Sequence, residues 1–143
     1  MQIKEIMTAR PVLIHPDTTL QEAAQRMREL GIGALPVTEN NELVGMLTDR
    51  DITVRSVSDG HDPRTDKVRD AMTPEVICCF EDQDVAEAAH LMKQKQVRRL
   101  VVLNREKQVA GIVSLANLAA NTGNQILAGN VLQAVSQPLT PAR

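Results

Sequence analysis

The sequence predicts a mixed α/β (α+β) protein built from two tandem units, each running strand–helix–strand–strand–helix. Three observations lead there. First, the chain repeats itself: Met7-Thr8 returns as Met72-Thr73, Glu22-Ala23-Ala24 as Glu87-Ala88-Ala89, Met27 as Met92, and Leu35 and Val37 as Leu100 and Val102, all 65 residues on. Gly45 returns as Gly111, 66 residues on, so the second copy carries one extra residue, placed where a hairpin loop absorbs it. Second, each copy alternates a helical apolar period with short β-rich runs. Third, 43% of the 143 residues are hydrophobic, yet there is one Phe and no Trp or Tyr, so the core is aliphatic. Two copies of this length do not suit a solenoid, whose repeats run roughly 20–45 residues. A pair related by pseudo-two-fold symmetry is the natural arrangement.

The elements follow in order. Val12-Leu13-Ile14 and Val76-Ile77-Cys78 are short apolar runs after turn signals and read as strands. Thr19-x-x-Glu22 and Asp84-x-x-Glu87 are capping boxes that satisfy the first free N–H groups of a helix. Behind them Leu20, Ala23, Ala24, Met27 and Leu30, and then Val85, Ala88, Ala89 and Met92, keep the helical period. Gly31 stops the first helix, and Gln96 stands in its place in the second copy. Two hairpins come next, 34–38 with 43–47 and 99–103 with 108–113, turning at Glu39-Asn40-Asn41-Glu42 and Asn104-Arg105-Glu106-Lys107. A further helix starts at Thr48 and again at Ser114. Segment 58–64 is a polar connector, 125–136 an amphipathic helix that either caps the pair or meets a second subunit, and 137–141 a tail.

Composition removes several classes of function. Sixteen basic and eighteen acidic residues leave a net charge of −2, with no basic stripe and no stacking aromatics, so a nucleic-acid role is not expected. No apolar run reaches the roughly 18–20 residues of a membrane span, and the start MQIKEIMTARP has no signal-peptide core, so a cytoplasmic protein is expected. Cys78 and Cys79 are adjacent and point to opposite faces of an extended segment, which suits neither a bridge nor a shared metal. His15, His61 and His90 lack a partner at H-x-x-x-H spacing, so no metal is expected. There is no Ser/His/Asp arrangement, paired-carboxylate site or Walker-type loop, and an enzyme is not expected.

Gly45-Met46-Leu47-Thr48-Asp49-Arg50-Asp51-Ile52 and Gly111-Ile112-Val113-Ser114-Leu115-Ala116-Asn117-Leu118 resemble the Gly-φ-φ-Thr/Ser-x-x-Asp-φ element of CBS domains. Ile6-Met7-Thr8, Ile32-Gly33-Ala34-Leu35-Pro36-Val37 and Val97-Arg98-Arg99-Leu100-Val101-Val102 fit around them, and the resemblance covers about residues 1–122. It implies a first CBS unit at 1–59, a connector at 60–66, a second unit at 67–122 and a C-terminal helix and tail at 123–143. It also implies a Bateman module, two units packed through their sheets, with two clefts for adenosine-containing ligands: AMP, ADP, ATP or S-adenosylmethionine. Such modules often form homodimers. A downstream protein partner is expected too, but no residue names it.

Thr48-x-x-Asp51 is by itself a capping box, stabilising a helix with no ligand. Two copies launched from Gly-φ-φ favour a site. Ribose has two vicinal hydroxyls that an ionised Asp51 is able to accept, Thr48 reaches the sugar or α-phosphate, the N–H groups of the helix start favour phosphate, and Arg50 adds a cation. The resemblance completes this main cleft with Val76, Ile77, Cys78 and Val97 as walls for the base and Arg98 as a phosphate partner. In the second cleft Ser114 keeps the hydroxyl but Asn117 replaces Asp and Ala116 replaces the arginine, with Val12, Ile14, Ile32 and Ile112 as walls and Gly33 where the first cleft has Arg98. An amide loses the charge-assisted component, so this cleft is expected to be weak or vacant. The reading is therefore a non-enzymatic sensor. Its alternative is a homodimeric scaffold with vestigial clefts.

Overall fold

The computed structural model describes residues 1–138; the last five, which include part of the expected tail, lie outside the described residues. In chain order the elements are β1 (Thr8–Ala9), α1 (Leu20–Leu30), β2 (Ala34–Glu39), β3 (Glu42–Thr48), the helical turn α2 (Asp49–Asp51) continued by a π-helical run (Ile52–Val57), α3 (Val68–Ala71), β4 (Cys78–Phe80), α4 (Val85–Lys95), β5 (Arg99–Leu103), β6 (Val109–Ser114), α5 (Leu115–Asn121) and α6 (Gln125–Val135). They gather into two compact units that do not coincide with the two sequence repeats. The central unit is Pro11–Val76; the flanking unit joins Met1–Arg10 to the chain from Ile77 onward.

In the central unit, α1 starts where Thr19 Oγ1 accepts the Glu22 N–H at 3.2 Å, the one half of the expected box that forms among the described residues. It ends at Gly31, whose φ of 65° is the left-handed conformation that the closing N–H bonds to Arg28 and Met27 require. The hairpin β2–β3 turns on Asn40 and Asn41, both at positive φ (54° and 65°), as a two-residue primed turn needs. The expected strand 12–14 shrinks to a single parallel bridge, Ile14 to Val37. Leu20, Ala23, Met27, Leu35, Val37 and Leu47 close an aliphatic core with Val68 and Ala71 of α3. The connector is folded onto this unit: Leu20 donates to the Asp66 carbonyl at 2.9 Å and Gln21 to that of Pro63 at 3.0 Å, while His61 Nδ1 lies 2.9 Å from Asp66.

The flanking unit repeats the plan with a four-stranded sheet in the order β1-β6-β5-β4, in which β4 runs parallel to β5 and the other pairs are antiparallel. The expected strand at 76–78 is displaced by two residues: β4 is Cys78–Phe80, paired Cys78 with Val101 and Phe80 with Leu103. The apolar run continues unbroken to Phe80, so periodicity alone does not mark its start. Here Asp84 and Glu87 form the full box, with bonds of 2.9 Å to the Ala86 N–H and 3.2 Å from the Asp84 N–H. Gln96 takes the left-handed position of Gly31, at φ 53°. α6 packs on the flanking unit: Val131 is buried in the core with Ala89, Met92 and Leu118 of α4 and α5, and Gln96 Nε2 donates to the Ala134 carbonyl at 3.2 Å.

The mismatch between units and repeats has one cause. Each repeat's leading Met-Thr segment supplies an edge to the other repeat's hairpin. Thr8 and Ala9 pair with Ile112 and Gly111, and Thr73 exchanges two 2.9 Å bonds with Met46. Gly45 and Gly111 are glycine because of this approach. A Cβ on Gly111 would stand 2.6 Å from Met7 Sδ and 2.7 Å from the Thr8 carbonyl oxygen; on Gly45 it would stand 2.7 Å from Met72 Sδ and 3.0 Å from the Thr73 carbonyl.

Candidate ligand-binding site

Thr48 is the last residue of β3 and the cap of the turn that follows, with extended backbone (φ −117°, ψ 162°). Its Oγ1 accepts the Asp51 N–H at 3.1 Å, and Asp51 Oδ2 accepts the Thr48 N–H at 3.0 Å. This reciprocal box fixes a half-buried carboxylate at the end of a strand and leaves Asp51 Oδ1 with no protein donor among the described residues. Arg50 is exposed, and its guanidinium makes no ion pair among the described residues.

The expectation that open N–H groups of this helix would receive a phosphate is corrected. Asp49 N–H donates to the Gly33 carbonyl at 3.0 Å, Arg50 N–H to Asp49 Oδ1 at 2.9 Å, Asp51 N–H to Thr48, and Ile52 N–H to the Asp49 carbonyl. All four are committed. The exposed Arg50 guanidinium is the cation this turn presents.

The turn then widens. Thr53 Oγ1 donates to the Asp49 carbonyl at 3.2 Å, competing for the acceptor that an α-helix reserves for the Thr53 N–H, and Ser58 N–H reaches back five residues to Thr53 at 3.0 Å. From this run Arg55 donates to the carbonyls of Ala71 (3.1 Å) and Met72 (2.9 Å), anchoring the segment that lies against Gly45. Sequence patterning shows neither the π-helical run nor this anchor. Val76, half-buried, closes the central unit.

The other residues expected in the main cleft belong to the flanking unit. Ile77 and Val97 are half-buried against its core, and the Ile77 carbonyl takes the Val101 N–H at 3.2 Å. Cys78 is half-buried and Cys79 buried, and neither is in a disulfide. Desolvation raises both above the usual thiol range, Cys79 to about 12, so neither is a nucleophile at neutral pH. Arg98 is exposed with no ion pair among the described residues, and its carbonyl takes the Leu115 N–H at 2.8 Å.

The second constellation splits in the same way. In the flanking unit, Ser114 and Asn117 reproduce the box at 2.8 and 3.1 Å, and Ser114 Oγ also donates to Asn117 Oδ1 at 3.0 Å, so this amide oxygen is used twice. Ile112 is half-buried on β6. In the central unit Ile32 is exposed, Val12 half-buried and Ile14 buried in the core. Val12 and Ile14 line a groove of about 290 Å³ with Thr18, Glu22, Gln25 and Arg26, whose lining includes neither Ile32 nor Gly33.

One polar cluster was invisible in the sequence because its members are far apart. His15, Asp17 and Glu39 bring ligand atoms within 4.8 Å of one another. Arg69 already sits among them, 2.7 Å from Asp17 and 3.5 Å from Glu39, and holds the Asp17 carboxyl below the usual carboxylate range. The cluster is a satisfied ion pair, with its cation supplied by the chain.

The profile of the CBS domain matches residues 3–57 and 68–121. The chain belongs to the CBS-domain family. It is 38% identical over 134 residues to the CBS domain-containing protein YhcV of Bacillus subtilis, covering 94% of each chain. Among solved structures it is similar to Hypoxic Response Protein I with two coordinated zinc ions (34% identity, TM-score 0.73, 83% of this chain and 97% of that one). It is similar also to the CBS domain pair of protein MJ0100 in complex with 5′-methylthioadenosine and S-adenosyl-L-methionine (25% identity, TM-score 0.74, 83% and 97%). This CBS pair has no helix among its described residues long and apolar enough to cross a membrane.

Proposed function

We propose that this CBS pair is a non-enzymatic regulatory module that binds an adenosine-containing ligand, AMP, ADP, ATP or S-adenosylmethionine, chiefly through Thr48, Arg50 and Asp51. The observation that carries the reading is the Asp51 carboxylate, oriented through Oδ2 by the Thr48 N–H at 3.0 Å while Oδ1 stays available. Two vicinal ribose hydroxyls are donors, and a carboxylate has the lone pairs to accept both beside the N–H it already holds. Arg50 supplies the cation for a 5′-phosphate. The adenosyl ligands of the MJ0100 pair support the same ligand class. The half-buried apolar residues Val76, Ile77, Cys78 and Val97, with Arg98, are proposed for the base and the phosphates on the strength of the family resemblance.

The module is proposed to act by population shift: a ligand biases two arrangements of the protein only by its differential affinity for them. A homodimer in the cytoplasm that passes its state to a protein partner fits this role. Isothermal calorimetry with the four ligands on wild type and Asp51→Ala is the test. Loss of at least tenfold in affinity on substitution is expected; an unchanged affinity removes Asp51 from the site, and absence of binding by every ligand favours the scaffold reading.

A further inference from the structure

The duplication lets each unit serve as a control for the other. Ala24, Met27 and Ile52 of the central unit correspond to Ala89, Met92 and Leu118 of the flanking unit. In the flanking unit all three are 0% exposed, because α6 lies across α4 and α5 and sets Leu127, Val131 and Val135 against their core. In the central unit Met27 stays buried, but Ala24 is exposed and Ile52 only half-buried. Closely matched side chains build both faces, and a helix covers one of them.

The uncovered face is apolar beyond that equivalence. Val54 (47% exposed) and Val57 (58% exposed) stand on the π-helical run, where the second repeat has Ala120 and Gly123. The larger apolar side chains are therefore on the copy that faces solvent, which marks a contact surface. The run is fastened through other residues. Arg55 holds the carbonyls of Ala71 and Met72, and Ser56, 1% exposed, donates from Oγ to Asp66 Oδ2 at 3.3 Å. Those anchors leave Val54 and Val57 turned outward. The run begins at Ile52, directly after Asp51, so the proposed ligand-binding turn continues into this face.

The covering helix shows what chemistry such a face accepts. Residues 123–138 include no charged side chain, and their apolar contacts recur at 127, 131 and 135, one helical turn apart. The charge beside the two faces matches as well, since Arg28 of α1 corresponds to Lys93 of α4. We propose that the α1/π-helical face of the central unit is a docking surface for an uncharged amphipathic helix of a partner protein, seated there as α6 is seated on the flanking unit. The proposal deepens the regulatory reading above by naming the surface its partner uses, and rests on that reading only for its purpose.

The test uses the full chain and, as probe, a peptide of residues 123–138 stapled across the exposed positions 129 and 133, because a free helix of this length is marginal in water. Fluorescence anisotropy of the labelled peptide is expected to show saturable binding to wild type, weakened at least tenfold by Ala24→Glu and by Val54→Glu. A peptide carrying Val131→Asp should not bind. Both protein variants change exposed positions, so their Tm should stay within about 2 °C of wild type. Absence of binding by the stapled peptide overturns the proposal, as does binding that survives both substitutions. Light scattering covers the other occupant: self-association abolished by A24E assigns the face to a second copy and overturns the partner reading. Calorimetry with AMP keeps the two proposals apart. AMP binding retained in A24E alongside a lost peptide supports a docking face separate from the ligand site, and a chain that binds the peptide but no adenosyl ligand removes the adenosine reading while this surface stands.

Discussion

Asp51→Asn separates the two jobs of the Asp51 carboxylate, and the protein's own second repeat shows what the substitution does. Ser114 and Asn117 form the same reciprocal cap as Thr48 and Asp51, with bonds of 2.8 and 3.1 Å against 3.0 and 3.1 Å. An amide oxygen therefore caps this turn as well as a carboxylate does, and D51N should cost only a few tenths of a kcal/mol, the loss of a charge at a helix start. Asp51→Ala deletes the acceptor of a half-buried N–H and should cost about 1 kcal/mol. For 143 residues that is a fall in Tm of about 3 °C. Ligand binding should order the variants differently. A charge-assisted bond is worth about 1.5–3 kcal/mol against about 1 for a neutral one, so D51N should weaken AMP binding by roughly 2- to 30-fold despite its near-native stability. Differential scanning fluorimetry with and without AMP, backed by calorimetry, reads both quantities. A D51N protein that melts with D51A refutes the cap assignment, and one that binds AMP as tightly as wild type refutes the carboxylate as the sugar's acceptor.

Two further outcomes follow from packing and from burial. Gly→Ala should have opposite signs at two positions: Gly111→Ala drives a Cβ to within 2.7 Å of the fixed Thr8 carbonyl and should lose about 1–3 kcal/mol, whereas Gly129→Ala, in α6 with nothing within 4 Å, should gain about 0.5–1 kcal/mol. Thermal melts of the two variants check this, and a loss at both would show that Gly129 is not the open, helical position described. Burial lifts the Cys79 thiol from 9.0 to about 12, so below pH 9 the folded and unfolded thiols are both neutral and stability is unaffected. Between about pH 9 and 12 only the unfolded chain ionises there, and this group withdraws up to about 1.4 kcal/mol per pH unit. Urea melts across that range should slope less in Cys79→Ala; equal slopes would place the alkaline sensitivity elsewhere.

The repeat makes most of the architecture legible in the sequence itself. Both first helices, both hairpins and the one-residue insertion follow from it, because period and offset are local properties. The Thr48/Asp51 and Ser114/Asn117 caps were legible for the same reason: the bonds span three residues. What escaped depends on distant pairings. Met7-Thr8 and Met72-Thr73 were visible as a repeated motif, and Gly45 and Gly111 as repeated glycines, yet nothing local says that each Met-Thr segment lies against the other repeat's glycine. Arg69 reaching Asp17 and Arg55 reaching Met72 are of the same kind. The π-helical run was hidden because one turn of widened helix has no distinct apolar period, and of the acceptors that consume the N–H groups of residues 49–52 the Gly33 carbonyl lies in a distant segment, while the other three are local.

The crossed edge strands bear on how this duplication can be taken apart. A piece cut at the sequence repeat, 1–59, keeps β2 and β3 but discards Thr73, so it bares a strand rim and the smooth surface of Gly45 to any passing chain. A piece cut at 11–76 carries its own hem and should be the more soluble of the two. The two halves of this gene product are thus laced through one another, and a recombination event that shuffled whole repeats would have to bring the neighbour's leader along.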